Sequence, residues 1–151
     1  MNDVRARVAA HPFLSGLSER QLGIIGDCAT NAEFAADQTL FRAGDPARGF
    51  YLVENGSIAV EGGGDEHRVV IDTVRAGEPL GWSWLFEPYV CEYSARALEP
   101  TTAIFIDALR LADHRGGDLT LGHELFKRMS TVMVRRLNAA RARLVAEATR
   151  G

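Results

Sequence analysis

The chain has 151 residues, of which 46% are hydrophobic and 25% charged, the proportions of one folded domain, and these exclude a disordered, collagenous or coiled-coil-only chain. The formal net charge of −3 is unevenly spread: residues 124–151 carry seven basic side chains against two acidic, a net of +5, leaving −8 on the residues before them. No run reaches the roughly 18 consecutive apolar residues of a membrane span, and the start MNDVRARVAA lacks the apolar region of a secretory signal, so a cytoplasmic protein with no membrane contact is expected.

Residues 1–32 read as N-terminal helices. His11-Pro12 interrupts the first segment, and Ser18-Glu19-Arg20-Gln21 is a capping box that starts a second helix with Leu22, Ile25 and Ala29 on one face. From 33 to 107 the pattern changes to short runs rich in valine, isoleucine and aromatics, with turns at Gly44-Asp45, Asn55-Gly56, Gly62-Gly63-Gly64-Asp65, Gly77 and Pro100. Strands are expected near Leu40, Tyr51–Val53, Ile58–Val60, Val69–Thr73, Ser94–Leu98 and Ala103–Ile106. Residues 108–150 return to helix: a short segment over Ala108–His114, a Gly116-Gly117 break, and a long helix from about Leu121 to Ala148. On it Phe126, Met133, Leu137, Ala140 and Leu144 form a seam at steps of seven, four, three and four, which suits either packing on the same chain or pairing with a second copy. The fold class is therefore α+β and mainly β: an antiparallel β-roll or jelly-roll-like barrel flanked by helices.

The order of these parts, with Gly44-Asp45, Tyr51-x-Val53-x-x-Gly56 and Gly77-Glu78 inside the roll, resembles the cyclic-nucleotide-binding domain of catabolite-activator-type bacterial regulators. The resemblance spans about Phe13 to Leu144 and implies a ligand cassette from Gly77 to Ala95. In such a cassette Glu78 would hold a ribose hydroxyl, and backbone amides after Leu80 and Gly81 would help hold a cyclic phosphate. An arginine before Ser-Ala is the family's phosphate partner. Here Tyr93 stands before Ser94-Ala95, and a phenol supplies neither charge nor a bidentate fork. Arg96 lies an odd number of residues along the strand from Tyr93, so it points to the other face. The cassette holds five of the chain's twelve aromatics, Trp82, Trp84, Phe86, Tyr89 and Tyr93. They either fill the nucleotide's space or line an apolar pocket oriented by Glu78 and Tyr93. In the family the long helix often presents hydroxyl side chains to the base. Here Arg135-Arg136-Leu137 is followed by Asn138-Ala139-Ala140, so Asn138 is its candidate contact.

No nucleophile and base share a recognisable spacing, and His11, His67, His114 and His123 have no motif partners, so neither an enzyme nor a metal site is expected. Cys28 and Cys91 form no metal-binding pattern and are expected as buried thiols. What remains is a small-molecule-sensing regulatory module. Its effector is either a weakly held cyclic nucleotide or another small molecule, and no cofactor is required. The alternative is a ligand-free scaffold acting through dimerisation or a signalling partner. A homodimer through Met133, Leu137, Ala140 and Leu144 is expected. Because the helix-turn-helix that such regulators carry after this helix has no room before Gly151, so is an absence of sequence-specific DNA binding.

Overall fold

The structure is a computed structural model that describes residues 3–64, 66–115 and 118–150. Helix α1 (Val4–Ala10) starts where the Asp3 carboxylate accepts the Arg5 amide, and it gives way at His11 to a 3-10 turn, Pro12–Leu14. Helix α2 (Glu19–Asp27) opens on the predicted capping box, in which Ser18 Oγ accepts from the Gln21 amide at 3.1 Å and Gln21 Oε1 from the Ser18 amide at 3.0 Å. It ends at Cys28, so Ala29 belongs to the first strand and not to the helix face. The reason is tertiary. The Asp107 amide donates to the Cys28 carbonyl, Ala29 pairs with Ile106, and this ladder overrides the helical spacing.

The strands are β1 (Ala29–Phe34), β2 (Thr39–Phe41), β3 (Gly49–Asn55), β4 (Ser57–Gly62), β5 (Val69–Arg75), β6 (Pro79–Leu80), β7 (Ser94–Ala97) and β8 (Thr101–Asp107). They form two antiparallel sheets, β1-β8-β3-β6 and β2-β7-β4-β5, that face each other as an open roll and do not close into a barrel. The β region thus begins at Ala29, earlier than residue 33, because Thr30 to Phe34 pair along β8 despite their mixed polarity. Gly56 makes the turn between β3 and β4 at φ +97°, where a Cβ would fall 2.4 Å from Thr101 Oγ1, so no larger residue fits. The Gly62–Asp65 turn is described only to Gly64.

The alternation of strands β3 and β8 builds two separate interiors. Phe50, Leu52, Ile104 and Ile106 face the helices and join Val8, Leu14 and Ile25 in one core. Tyr51 and Val53 face the opposite sheet, where Val53 packs with Ile58, Val74, Leu80 and Ala95 in a second, smaller one. A strand buried on both faces can serve both layers because successive side chains point in opposite directions.

Helix α3 (Ala108–Arg115) begins where the Asp107 carboxylate accepts the Leu109 and Arg110 amides. Helix α4 (Leu119–Ala148) begins where the Asp118 carboxylate accepts the Leu121 amide. The predicted Gly116-Gly117 break lies outside the described residues. Helix α4 buries Leu121, Leu125, Met129 and Val132 against the domain, each contributing about 1.5–3 kcal/mol of apolar burial. Beyond Val132 it leaves the core. Leu137 and Leu144 are 49% and 69% exposed. The predicted seam is thus a different stripe from the one that packs on the roll. No described helix is long and apolar enough to cross a membrane.

Candidate functional site: a cavity between the two sheets

A cavity of about 360 Å³ opens between the sheets beside the smaller core. Its wall is aromatic. Phe41 stacks on Tyr51 at 6.4 Å between centroids, and Tyr51 meets Phe105 at 5.0 Å and 52°. Leu40, Val60 and Leu80 complete the apolar lining. Burial pushes the Tyr51 phenol above its usual range, so it stays neutral at physiological pH.

The cassette between β6 and β7 supplies the cover. Gly81 takes φ +97° and turns the chain into a short 3-10 segment, Ser83–Leu85. The two indoles, two residues apart, separate. Trp84 leaves the cavity, stacks on Phe50 at 5.1 Å and donates its Nε1–H to the Gly81 carbonyl at 3.2 Å. Trp82 lines the cavity and also carries the Arg136 guanidinium 5.5 Å from its ring centroid. Arg136 in turn donates to the Pro79 carbonyl at 2.7 Å and pairs with Asp72 at 3.2 Å. Burial is the largest influence on that guanidinium and lowers its pKa, with Asp72 and Glu78 opposing. One arginine of α4 is therefore joined to β5, to β6 and to a ring of the cavity wall.

Of the cassette residues singled out from sequence, Leu80, Gly81, Trp82 and Tyr93 line this cavity. Gly77, at φ +90°, donates its amide to the Val53 carbonyl and borders a separate groove with Pro12 and Arg135. The Glu78 carboxylate accepts from the Arg75 amide at 2.8 Å, lies 3.9 Å from Arg135, and is not part of the cavity lining. Ser94 Oγ accepts from the Ala43 amide, and Ala95 is buried in the smaller core. Asn138 is exposed on α4, away from the cavity lining. Arg96 projects from the outer face, where it forks onto Glu61 at 3.0 and 3.2 Å and reaches Asp37 at 2.8 Å, holding the Glu61 carboxyl below its usual range.

The two cysteines differ. Cys28 is fully buried and donates its Sγ–H to the Ile24 carbonyl. Cys91 is only half-buried and lines the cavity, because the loop before β7 folds back so that its amide donates to the Asp45 carbonyl. Burial raises both thiols above the ordinary value. Sequence reasoning also missed Phe41, Tyr51, Phe105 and the polar rim of Asp45, Arg48 and Glu92. The period-two pattern of β3 and β8 places Tyr51 and Phe105 on the inner face, so their signal was present. The rim comes from loops, which carry no such periodicity.

This arrangement defines a class: an open β-roll with an internal ligand-sized cavity, covered by a cassette and flanked by a long C-terminal helix. The chain belongs to the cyclic nucleotide-binding domain family, whose profile matches residues 32–113, more than half its length. Among solved structures it is similar to a cyclic nucleotide-binding protein of Geobacter metallireducens, with 24% identity and a TM-score of 0.77 over 91% of this chain and 99% of that one. A cyclic nucleotide-binding domain from Methylobacillus flagellatus matches at 17% identity and a TM-score of 0.78, over 96% of this chain and 82% of the other. The regulator CLP of Xanthomonas campestris, described as c-di-GMP responsive, matches at 19% identity and a TM-score of 0.74, over 87% and 65% of the respective chains. No protein of curated function matches the chain by sequence.

Proposed function

We propose that the chain is a non-enzymatic, effector-binding regulatory module whose effector enters the cavity between the sheets, and that it binds cyclic AMP and cyclic GMP weakly or not at all. The observation that carries this reading is an unfilled cavity of about 360 Å³ with Tyr93, and no cassette arginine, at its edge. Support also comes from Glu78, whose carboxylate is engaged by the Arg75 amide instead of the cavity. A relative on this fold that responds to a different nucleotide, CLP, is consistent with a changed ligand. Occupancy would reach the long helix through Trp82 and Arg136, the contact that joins cavity wall and α4. Titration of the protein with cyclic AMP and cyclic GMP, by calorimetry and tryptophan fluorescence, tests the reading. Little or no heat up to high micromolar concentrations is expected, and submicromolar affinity for either nucleotide overturns it.

A second reading rests on α4. Val134, Leu137, Leu144 and Val145 are 49 to 69% exposed, an apolar surface that favours a homodimer along Met133, Leu137, Ala140 and Leu144. In that reading the module acts through its partner contacts, with or without an effector.

A further inference from the structure

We infer that the cavity selects a small, flat aromatic molecule that carries no negative charge. The inference rests on the cavity being the effector site and names the chemistry that site accepts. Three observations converge on it.

The first is the wall. The Phe41, Tyr51 and Phe105 rings form a continuous series at 6.4 and 5.0 Å, with Trp82 contributed by the cassette. Ring faces carry the negative end of the aromatic quadrupole, so they stack on flat rings and attract cations while disfavouring anions. The second is the charge at the rim. Among the described residues the lining includes two acidic ones, Asp45 and Glu92, against one basic one, Arg48, and all three are exposed. The Asp45 side chain is fixed by the Arg42 amide, which its Oδ2 accepts at 2.9 Å. Arg135 and Arg136, the cassette's nearest cations from α4, face Glu78 and Asp72 and are not in the lining. The third is the set of uncommitted neutral groups. Tyr51, Ser83 and Tyr93 line the cavity, and their hydroxyls have no hydrogen-bond partner among the described residues. They can orient a neutral polar substituent but cannot neutralise a phosphate. A volume of about 360 Å³ lies at the small end of ligand pockets, which suits one fused ring system better than an extended molecule.

The test uses three probes that share one body and differ in charge: 1-naphthylmethylammonium, 1-naphthylmethanol and 1-naphthoate. Binding to the full chain is read by calorimetry and by protection of Cys91 from methyl methanethiosulfonate, since Cys28 is fully buried and leaves one reporter thiol. The ammonium and the alcohol are expected to protect Cys91 and to bind at least tenfold more tightly than the naphthoate. Replacing both rim carboxylates, Asp45→Asn with Glu92→Gln, is expected to reduce the advantage of the ammonium over the alcohol several-fold. Naphthoate binding as tightly as either other probe, and lost in Arg48→Met, would overturn the charge inference while leaving the cavity as the site. If neither these probes nor a cyclic nucleotide protects Cys91, the cavity is not an effector site and both readings fall.

Discussion

We propose that Tyr93 is the residue that chiefly weakens this cavity as a phosphate site. Tyr93 occupies the position before Ser94-Ala95 and lines the cavity, while Arg96 is engaged by Glu61 and Asp37 on the outer face and cannot take its place. A charged hydrogen-bonding contact contributes about 2–3 kcal/mol. Tyr93→Arg is therefore expected to raise affinity for cyclic AMP by roughly 30- to 150-fold. Calorimetry on the two proteins checks it, and unchanged affinity would show that the cradle, not the missing guanidinium, limits binding. A second residue sets a pH limit on the fold. His11 is buried, its Nε2 lies 2.8 Å from the Val53 carbonyl and its Nδ1 accepts the Phe13 amide, an arrangement that requires the neutral ring. Burial lowers its pKa, against smaller opposing effects from Val53 and Glu54. Below the ordinary histidine value of about 6.5, the unfolded chain therefore binds a proton that the folded chain refuses, and stability falls as pH drops. Above that value the contribution is complete. Urea midpoints measured from pH 7.5 to 5 are expected to decline, with a flatter slope in His11→Gln; equal slopes in the two proteins would remove His11 as the cause.

At the scale of elements, α4 divides at Val132. Its first half lays Leu121, Leu125, Met129 and Val132 into the core, and its second half carries Leu137 and Leu144 largely exposed. An apolar stripe with a 4-3-4 spacing suits a helical partner of the same kind. The proposed homodimer is expected to dissociate in the Leu137→Glu, Leu144→Glu double variant, with sedimentation showing a dimer for the original chain and a folded monomer for the variant. A monomer in both would end the proposal. The same helix shows how far the sequence reached. Its existence and length were legible in the periodicity, but its two apolar stripes overlap, and which one faces the roll depends on how the helix enters after Asp118. The turns were legible because Gly56 and Gly77 need positive φ. Strand β1 was not, because Ala29 to Phe34 alternate weakly and become a strand only by pairing with β8. In the cassette, the missing arginine could be read directly. The parting of Trp82 from Trp84 could not, since it follows from the turn at Gly81 and the stacking of Trp84 on Phe50.

For the whole molecule, the charge asymmetry is answered in part from within. Residues 124–151 carry a net of +5 and the rest −8, and several arginines of α4 turn back to the domain. Arg136 pairs with Asp72 at 3.2 Å, Arg135 lies 3.9 Å from Glu78, and Arg143 donates to the Ile71 carbonyl at 2.5 Å. Arg128 bonds Glu124 within the helix and the Phe13 carbonyl across it. A basic stretch that is folded onto an acidic roll presents less positive field than its composition suggests. Reading a DNA sequence requires several side chains of one element at base edges in the major groove, and these arginines are engaged elsewhere. We therefore expect no sequence-specific DNA binding by this chain. Any residual attraction should be weak and should fall steeply with salt, because it would come from counterion release at phosphates. A gel-shift series on two unrelated duplexes from 50 to 200 mM salt, concentrations that bracket about physiological strength, separates the cases. Equal retardation of both duplexes that fades with salt agrees with a tail partly paired with its own domain, whereas a complex that survives at the upper salt and distinguishes the duplexes would require a DNA-reading surface that α4 does not offer.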